Sequence, residues 1–411
     1  MDTPFCYAEQ LQYHPSNHAT DVCPMPQDYP LSDLKVLDLS RVLAGPFAGR
    51  MLSDLGAQVV KVEPPDQDVT RHWGHTVGSI SGYYQQQNAG KRNVSIDLRQ
   101  PQGTQLLLDL ACKADILLEN FRPGVMARLG LDWDTLHRLN PRLIMLSISG
   151  FGQHGPESQR AAYAPIVHAE TGAIQRQAEK ADSYPVEMCM SFADTNAGLH
   201  GLVGLLAAVH QRHRTGEGQH IDIAMVDAML ATDDQTHYYL EGAPVNNGAS
   251  EVWAATGGPV IMAGDFRHIW RLLNTVLGVQ EPTPADATLA AKIAARRAAT
   301  EAFLVSFRHR QALTAALDKA NIAWGNVTST STYLQDSTTL AHRRSVIAVD
   351  DRHGGTRPLF QSPYRFSGAS SGVRGGAPFQ GEHNQAVLTE WLDYSASQIS
   401  RLQAQQVLVS E

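Results

Sequence analysis

Cysteine is scarce in this sequence. The four residues, Cys6, Cys23, Cys112 and Cys189, are scattered through 411 positions without close pairing. That excludes a disulfide-stapled secreted fold and fits reduced thiols in the cytoplasm. Cys6, His14, His18 and Cys23 follow no zinc-ligand spacing, so no metal is expected. No apolar run approaches the roughly 20 residues of a membrane helix. The start, Met1-Asp2-Thr3-Pro4-Phe5-Cys6, lacks the basic and apolar regions of a signal peptide. Positive charge is also short: the formal net charge of −8 argues against a nucleic-acid partner. The lone glycines after the candidate strands form no dinucleotide fingerprint, which argues against NAD.

The chain is long enough to bury a large core and to split into at least two domains. Val36-Leu37-Asp38-Leu39, Gln58-Val59-Val60-Lys61-Val62, Asp115-Ile116-Leu117-Leu118-Glu119 and Leu143-Ile144-Met145-Leu146-Ser147-Ile148 are short β-rich runs separated by helical sequence. Such alternation predicts an α/β fold with a parallel sheet flanked by helices. From about Gly248 the pattern changes to turns, a strand around Val260 and helical stretches such as Leu289–Arg297, which predicts a smaller domain. The expected division is an extension over 1–30, a large domain over 31–230, a linker and small domain over 231–335, and a C-terminal segment over 336–411.

The segment Ser191-Phe192-Ala193-Asp194-Thr195-Asn196-Ala197-Gly198 carries the most chemical information. Asp194 stands where a helix N-cap is expected, with its carboxylate open to a substrate. Leu199, Leu202, Val203, Leu206 and Val209 recur at helical spacing, while Gly198, Gly201 and Gly204 leave one face bare for close backbone packing. A helix N-terminus at Asp194 would keep that carboxylate ionised, as a nucleophile requires.

With Arg214-Thr215-Gly216-Glu217-Gly218-Gln219 and Ile221-Asp222-Ile223-Ala224-Met225 after it, this segment resembles the class III coenzyme A transferases. That superfamily includes formyl-CoA and carnitine-CoA transferases and α-methylacyl-CoA racemases. Further matches follow in family order: Leu34–Pro46, Asp54–Pro64, Asn88–Arg92, Glu119–Gly124, Asn140–Ile144 and Gly381–Asn384. The resemblance implies a large domain of Rossmann-like units built from N- and C-terminal parts, a smaller α+β domain, and two subunits interlocked as a homodimer. It implies that Asp194 is the nucleophile, that coenzyme A is a co-substrate rather than a resident cofactor, and that the partners are an acyl-CoA and a small carboxylic acid. Neither nucleic acid nor membrane is an expected partner.

Coenzyme A is a polyanion, so an acidic chain must gather local positive charge to bind it. Basic residues cluster in the first third: Arg41, Lys61, Arg71, Lys91, Arg92, Arg99, Arg122 and Arg128. The resemblance assigns Arg41, Val42, Leu43, Lys91, Arg92, Ile96, Arg99, Asn120 and Arg128 to the coenzyme, with Arg99 and Arg128 facing its nucleotide phosphates. Gly257 and Gly258 are candidates for a glycine segment covering the intermediate, or for a plain turn. Three departures bear on specificity. Ala164 stands where many relatives carry an acidic residue, leaving His168 or Glu170 as candidates to replace it. Tyr163 stands where the racemases have a histidine, and a phenol that titrates near about 10 is a poor base. Leu43 replaces a glutamine of the formyl-CoA enzyme. Tyr163 favours a transferase over a racemase, and Leu43 disfavours formyl and oxalate as substrates. Ala164 and the Gly257-Gly258 stretch leave a catalytically silent CoA-binding protein as a third reading, against which the intact Asp194 motif argues.

Overall fold

The structure is a computed structural model that describes residues 28–243 and 250–411. Cys6, His14, His18 and Cys23, and all of the extension before residue 28, lie outside the described residues. The main sheet has six strands, all parallel, in the order Arg92–Ser95, Gln58–Glu63, Lys35–Asp38, Ile116–Glu119, Ile144–Ser149 and His220–Ala224. The four runs expected as strands therefore sit side by side, extended by one strand at each edge. Parallel strands are covered on both faces, which is why they read as nearly continuous apolar runs.

Successive residues on a strand point to opposite faces. Val36, Leu118 and Leu146 accordingly belong to one core, packed under the long helix Phe192–Thr215 and the helix Ala44–Asp54. Leu37, Leu117 and Met145 belong to the other, packed under Pro101–Ala111 and the late helix Asn384–Leu392. The bare face of the long helix permits a close approach. A Cβ at Gly198 would lie 2.7 Å from the Ala44 carbonyl oxygen, and one at Gly201 would lie 2.8 Å from a Leu146 methyl.

A third core is separate from these. It gathers Trp253, Val260, Met262, Trp270, Leu304 and Leu313 around a three-stranded antiparallel sheet with Val260–Ala263 in the centre, between Glu251–Trp253 and Ala323–Asn326. A hairpin, Val346–Asp350 with Thr356–Phe360, packs Val349 and Leu359 against Ala89. Among the described residues no helix is long and apolar enough to cross a membrane.

Candidate active site

A cavity of about 570 Å³ lies along the carboxyl edge of the sheet. Its lining takes Ser40, Pro64, Ile96, Asn120, Gly150 and Met225, each of which follows the end of one of the six strands. That edge is where open α/β sheets bind ligands. Asp194 lines the cavity and is nine-tenths buried.

The helix-cap expectation for Asp194 needs correction. Ser191 is the N-cap of Phe192–Thr215 and supplies no side-chain cap, while Asp194 lies within the first turn. Its carboxylate instead accepts the N–H of Ala164, at 3.2 Å, from the first residue of the helix Ala164–Glu170. The amide of Ala44, which opens the helix Ala44–Asp54, pulls in the same direction. Burial nonetheless outweighs both donors and pushes the Asp194 carboxyl up to about 6. The carboxylate is therefore held at a meeting of three helix N-termini, ionised at neutral pH but basic for an aspartate.

The loop entering Ala44–Asp54 forms one wall. Arg41 and Val42 line the cavity, whereas Leu43 is buried as the N-cap residue. Asn120 accepts the Arg41 N–H and donates to the Arg41 carbonyl oxygen, both at 2.8 Å. Val42 has φ = 67°, a left-handed backbone that is a genuine outlier for a β-branched side chain. Beneath the loop, Lys61 donates to Ser40 O and to Asp68, at 3.0 Å to the carboxylate. Burial alone would raise Asp68, but Lys61 and Thr70 hold it down at about 2.

Of the residues expected at the coenzyme, Arg41, Val42, Ile96, Arg99 and Asn120 line the cavity, as does Tyr163, which is largely exposed. Arg99 is also exposed and pairs with Asp97 at 2.7 Å. Lys91 is a correction. It is fully enclosed, with its ammonium donating to Asp38, Pro46 O and Asn88 at 2.7 to 2.9 Å, so it holds the fold together instead of facing a ligand. Arg92 pairs with Glu390, and exposed Arg128 lies outside the lining.

Neither candidate for the missing acid approaches the cavity as an acid. Glu170 is exposed and pairs with Arg160. His168 is buried and its Nε2 accepts the Ala193 N–H at 3.1 Å. Gly257 and Gly258, with φ of 79° and 112°, form the turn before Val260–Ala263, where Arg310 binds the carbonyls of Thr256 and Gly258 at 3.0 Å. They do not line the cavity within this chain.

The lining adds Arg160 and the Ser149-Gly150 corner, neither singled out from the sequence. Position was the available signal for the corner, since it ends the run Leu143–Ile148. Arg160 had none, because its partners Glu157 and Glu170 and the Phe151 ring beneath it are assembled by the turns of the loop.

The family model for "CoA-transferase family III" matches residues 31–384. The succinyl-CoA–D-citramalate CoA-transferase of Chloroflexus aurantiacus is 32% identical over 397 residues, 92% of this chain and 98% of that one. The succinate–glutarate CoA-transferase of Agrobacterium fabrum is 34% identical over 386 residues, 88% and 95% of the two chains. The crystal structure of a CAIB/BAIF family protein from Brucella suis superposes with a TM-score of 0.75 at 33% identity, covering 89% of this chain and all of that one. The chain belongs to CoA-transferase family III and is an enzyme of that family.

Proposed function

We propose that the protein moves coenzyme A from an acyl-CoA thioester to a free carboxylate through covalent intermediates on Asp194. The observation that carries this reading is the buried Asp194 carboxylate, lining a cavity at the sheet's carboxyl edge and facing backbone N–H groups. Asp194 attacks the thioester carbonyl, the C–S bond breaks, and CoA leaves as thiolate beside a mixed anhydride. The thiolate attacks the aspartyl carbonyl and releases the first acid as carboxylate, leaving an aspartyl-CoA thioester. The acceptor carboxylate attacks the same carbon and expels the thiolate, which takes the new acyl group and restores Asp194. Every step passes charge through an oxygen on the aspartyl or acyl carbon. Fixed N–H donors, such as that of Ala164, stabilise such oxyanions without reorganising. This is also why Ala164 is compatible with activity: its contribution is its backbone, not a side-chain acid.

Arg41, Arg99 and Arg122 supply cationic lining for the polyanionic coenzyme, whereas the Arg160 charge is already met by Glu157 and Glu170. The acids exchanged are short dicarboxylates, a reading supported by the names of the two transferases above. The working unit is an interlocked homodimer. Leu199, Val203 and Leu206 support it, since they leave an exposed apolar stripe along the long helix. In such a dimer Gly257 and Gly258 would cover the intermediate. The large domain comprises 31–230 with 336–411, and the small domain 231–335.

Intact and peptide mass spectrometry after incubation with succinyl-CoA tests this reading. A gain of CoA minus water on the Asp194 peptide, cleared by glutarate and absent in Asp194→Asn, is expected. Deuterium exchange at the α-carbon of a 2-methylacyl-CoA with no adduct would replace it by the racemase reading. Light scattering should give twice the chain mass.

A further inference from the structure

The helices that carry Asp194 and Ala164 cap each other. Neither Ser191 nor Tyr163, the residues that precede them, offers a side-chain cap. Instead the Ala164 N–H donates to Asp194, and the Ala193 N–H, next to Asp194 in sequence, donates to His168 Nε2. One orphan donor of each helix is thus satisfied by a side chain of the other. His168 is 1% exposed, and its Nδ1 has no hydrogen-bond partner among the described residues. A ring that accepts at Nε2 must carry its proton on Nδ1 and stay neutral. Burial favours that neutral form, with Glu187 pulling weakly the other way.

We propose that His168 is a positioning residue for Asp194. It fixes the first turn of the nucleophile's helix through the Ala193 amide and so sets the carboxylate against the Ala164 N–H. The arrangement matters most midway through the reaction. Once Asp194 becomes an anhydride or thioester it loses its charge, and its own bond to Ala164 weakens. The His168–Ala193 bond is untouched by that change, so it keeps the two helices in register while the aspartyl carbon is attacked. This inference rests on the function proposed above.

The test compares His168→Leu, His168→Gln and His168→Asn in the full-length protein with succinyl-CoA and glutarate. A Gln amide oxygen reaches the position of Nε2, whereas the Asn oxygen falls short and Leu cannot accept. In Leu and Asn, the rate of adduct formation on Asp194 and kcat should fall by about tenfold to a hundredfold, the scale of a misplaced reacting group. KM for succinyl-CoA should hold, and Gln should recover most of kcat. If Leu does not fold, the Gln and Asn pair decides. Wild-type rates in Leu or Asn, or equal losses in Gln and Asn, would overturn the proposal. A wild-type protein that forms no adduct would instead overturn the function on which it rests.

Discussion

Asn120 grips the Arg41 peptide on both sides, accepting its N–H and donating to its carbonyl across 79 positions of sequence. The next residue, Val42, is held at a positive φ that costs on the order of 1–3 kcal/mol and persists only where the surroundings impose it. Asp68 receives the Val42 N–H at 3.4 Å and is itself anchored by Lys61. The strained turn is thus fixed from the neighbouring strand ends, and it forms a wall of the cavity.

Asn120→Ala should release that turn. We expect KM for acyl-CoA to rise about tenfold, the worth of about one or two hydrogen bonds, with a smaller change in kcat. Asn120→Asp should be worse, because a carboxylate cannot donate to the Arg41 carbonyl. Titration calorimetry with CoA checks both. Equal affinity in Asn120→Ala would mean the Asn120 clamp is not needed for binding.

Asp194 should limit activity in acid and cost stability in base. Its folded value of about 6 exceeds the 3.8 of a free aspartate, so kcat/KM should fall below a midpoint near 6. For stability, the folded state binds the proton more tightly than the unfolded chain. The cost of ionising Asp194 is therefore absent below about 3.8, grows as pH rises through the window to about 6, and is complete above it. A shift of roughly two units corresponds to about 3 kcal/mol at most. Asp194→Asn should abolish turnover yet raise the melting temperature at pH 8, with the gain shrinking near pH 4. A variant that melts lower at pH 8 would refute this.

Gly198→Ala and Gly201→Ala make the same chemical change with different consequences. At Gly198 the new methyl meets backbone, the Ala44 carbonyl oxygen, so the helix opening at Ala44 must move away from Asp194. At Gly201 it meets the end of a leucine side chain that can rotate. Gly198→Ala should lose about 1–3 kcal/mol, as overpacking does, and most of its activity. Gly201→Ala should keep its activity. Urea melts and turnover assays separate the two.

The features visible in the sequence are those whose cause is local. The apolar runs gave four central strands, and the glycine row gave the bare face of the long helix. Asp194 stood out because its neighbours are small. What the sequence does not show depends on partners far away along the chain. Lys91 reads as a coenzyme ligand until Asp38, 53 positions earlier, is seen against it in the fold. His168 reads as a substitute acid until the Ala193 amide is found at its ring. Asp194 reads as an N-cap for the same reason: the amide it accepts belongs to another helix.

Lys91 and Arg99 therefore separate fold from binding. Removing the ammonium in Lys91→Met leaves Asp38 buried without its ion pair, a change that costs about 3–5 kcal/mol. Changing Asp38 to Asn in the same chain should recover part of that loss, since the stranded charge is gone. The Arg99 side chain is 71% exposed and, among the described residues, paired only with Asp97. Such a solvent-screened surface pair contributes little to stability, so Arg99→Gln should melt almost as the parent does. If it meets a coenzyme phosphate, its loss should raise KM for acyl-CoA about tenfold, as a lost charge-assisted bond does, and weaken the salt dependence of binding. An Arg99→Gln enzyme with unchanged KM at low and high salt would remove this residue from the coenzyme site. A Lys91→Met protein of wild-type stability would contradict the ion pair's structural role.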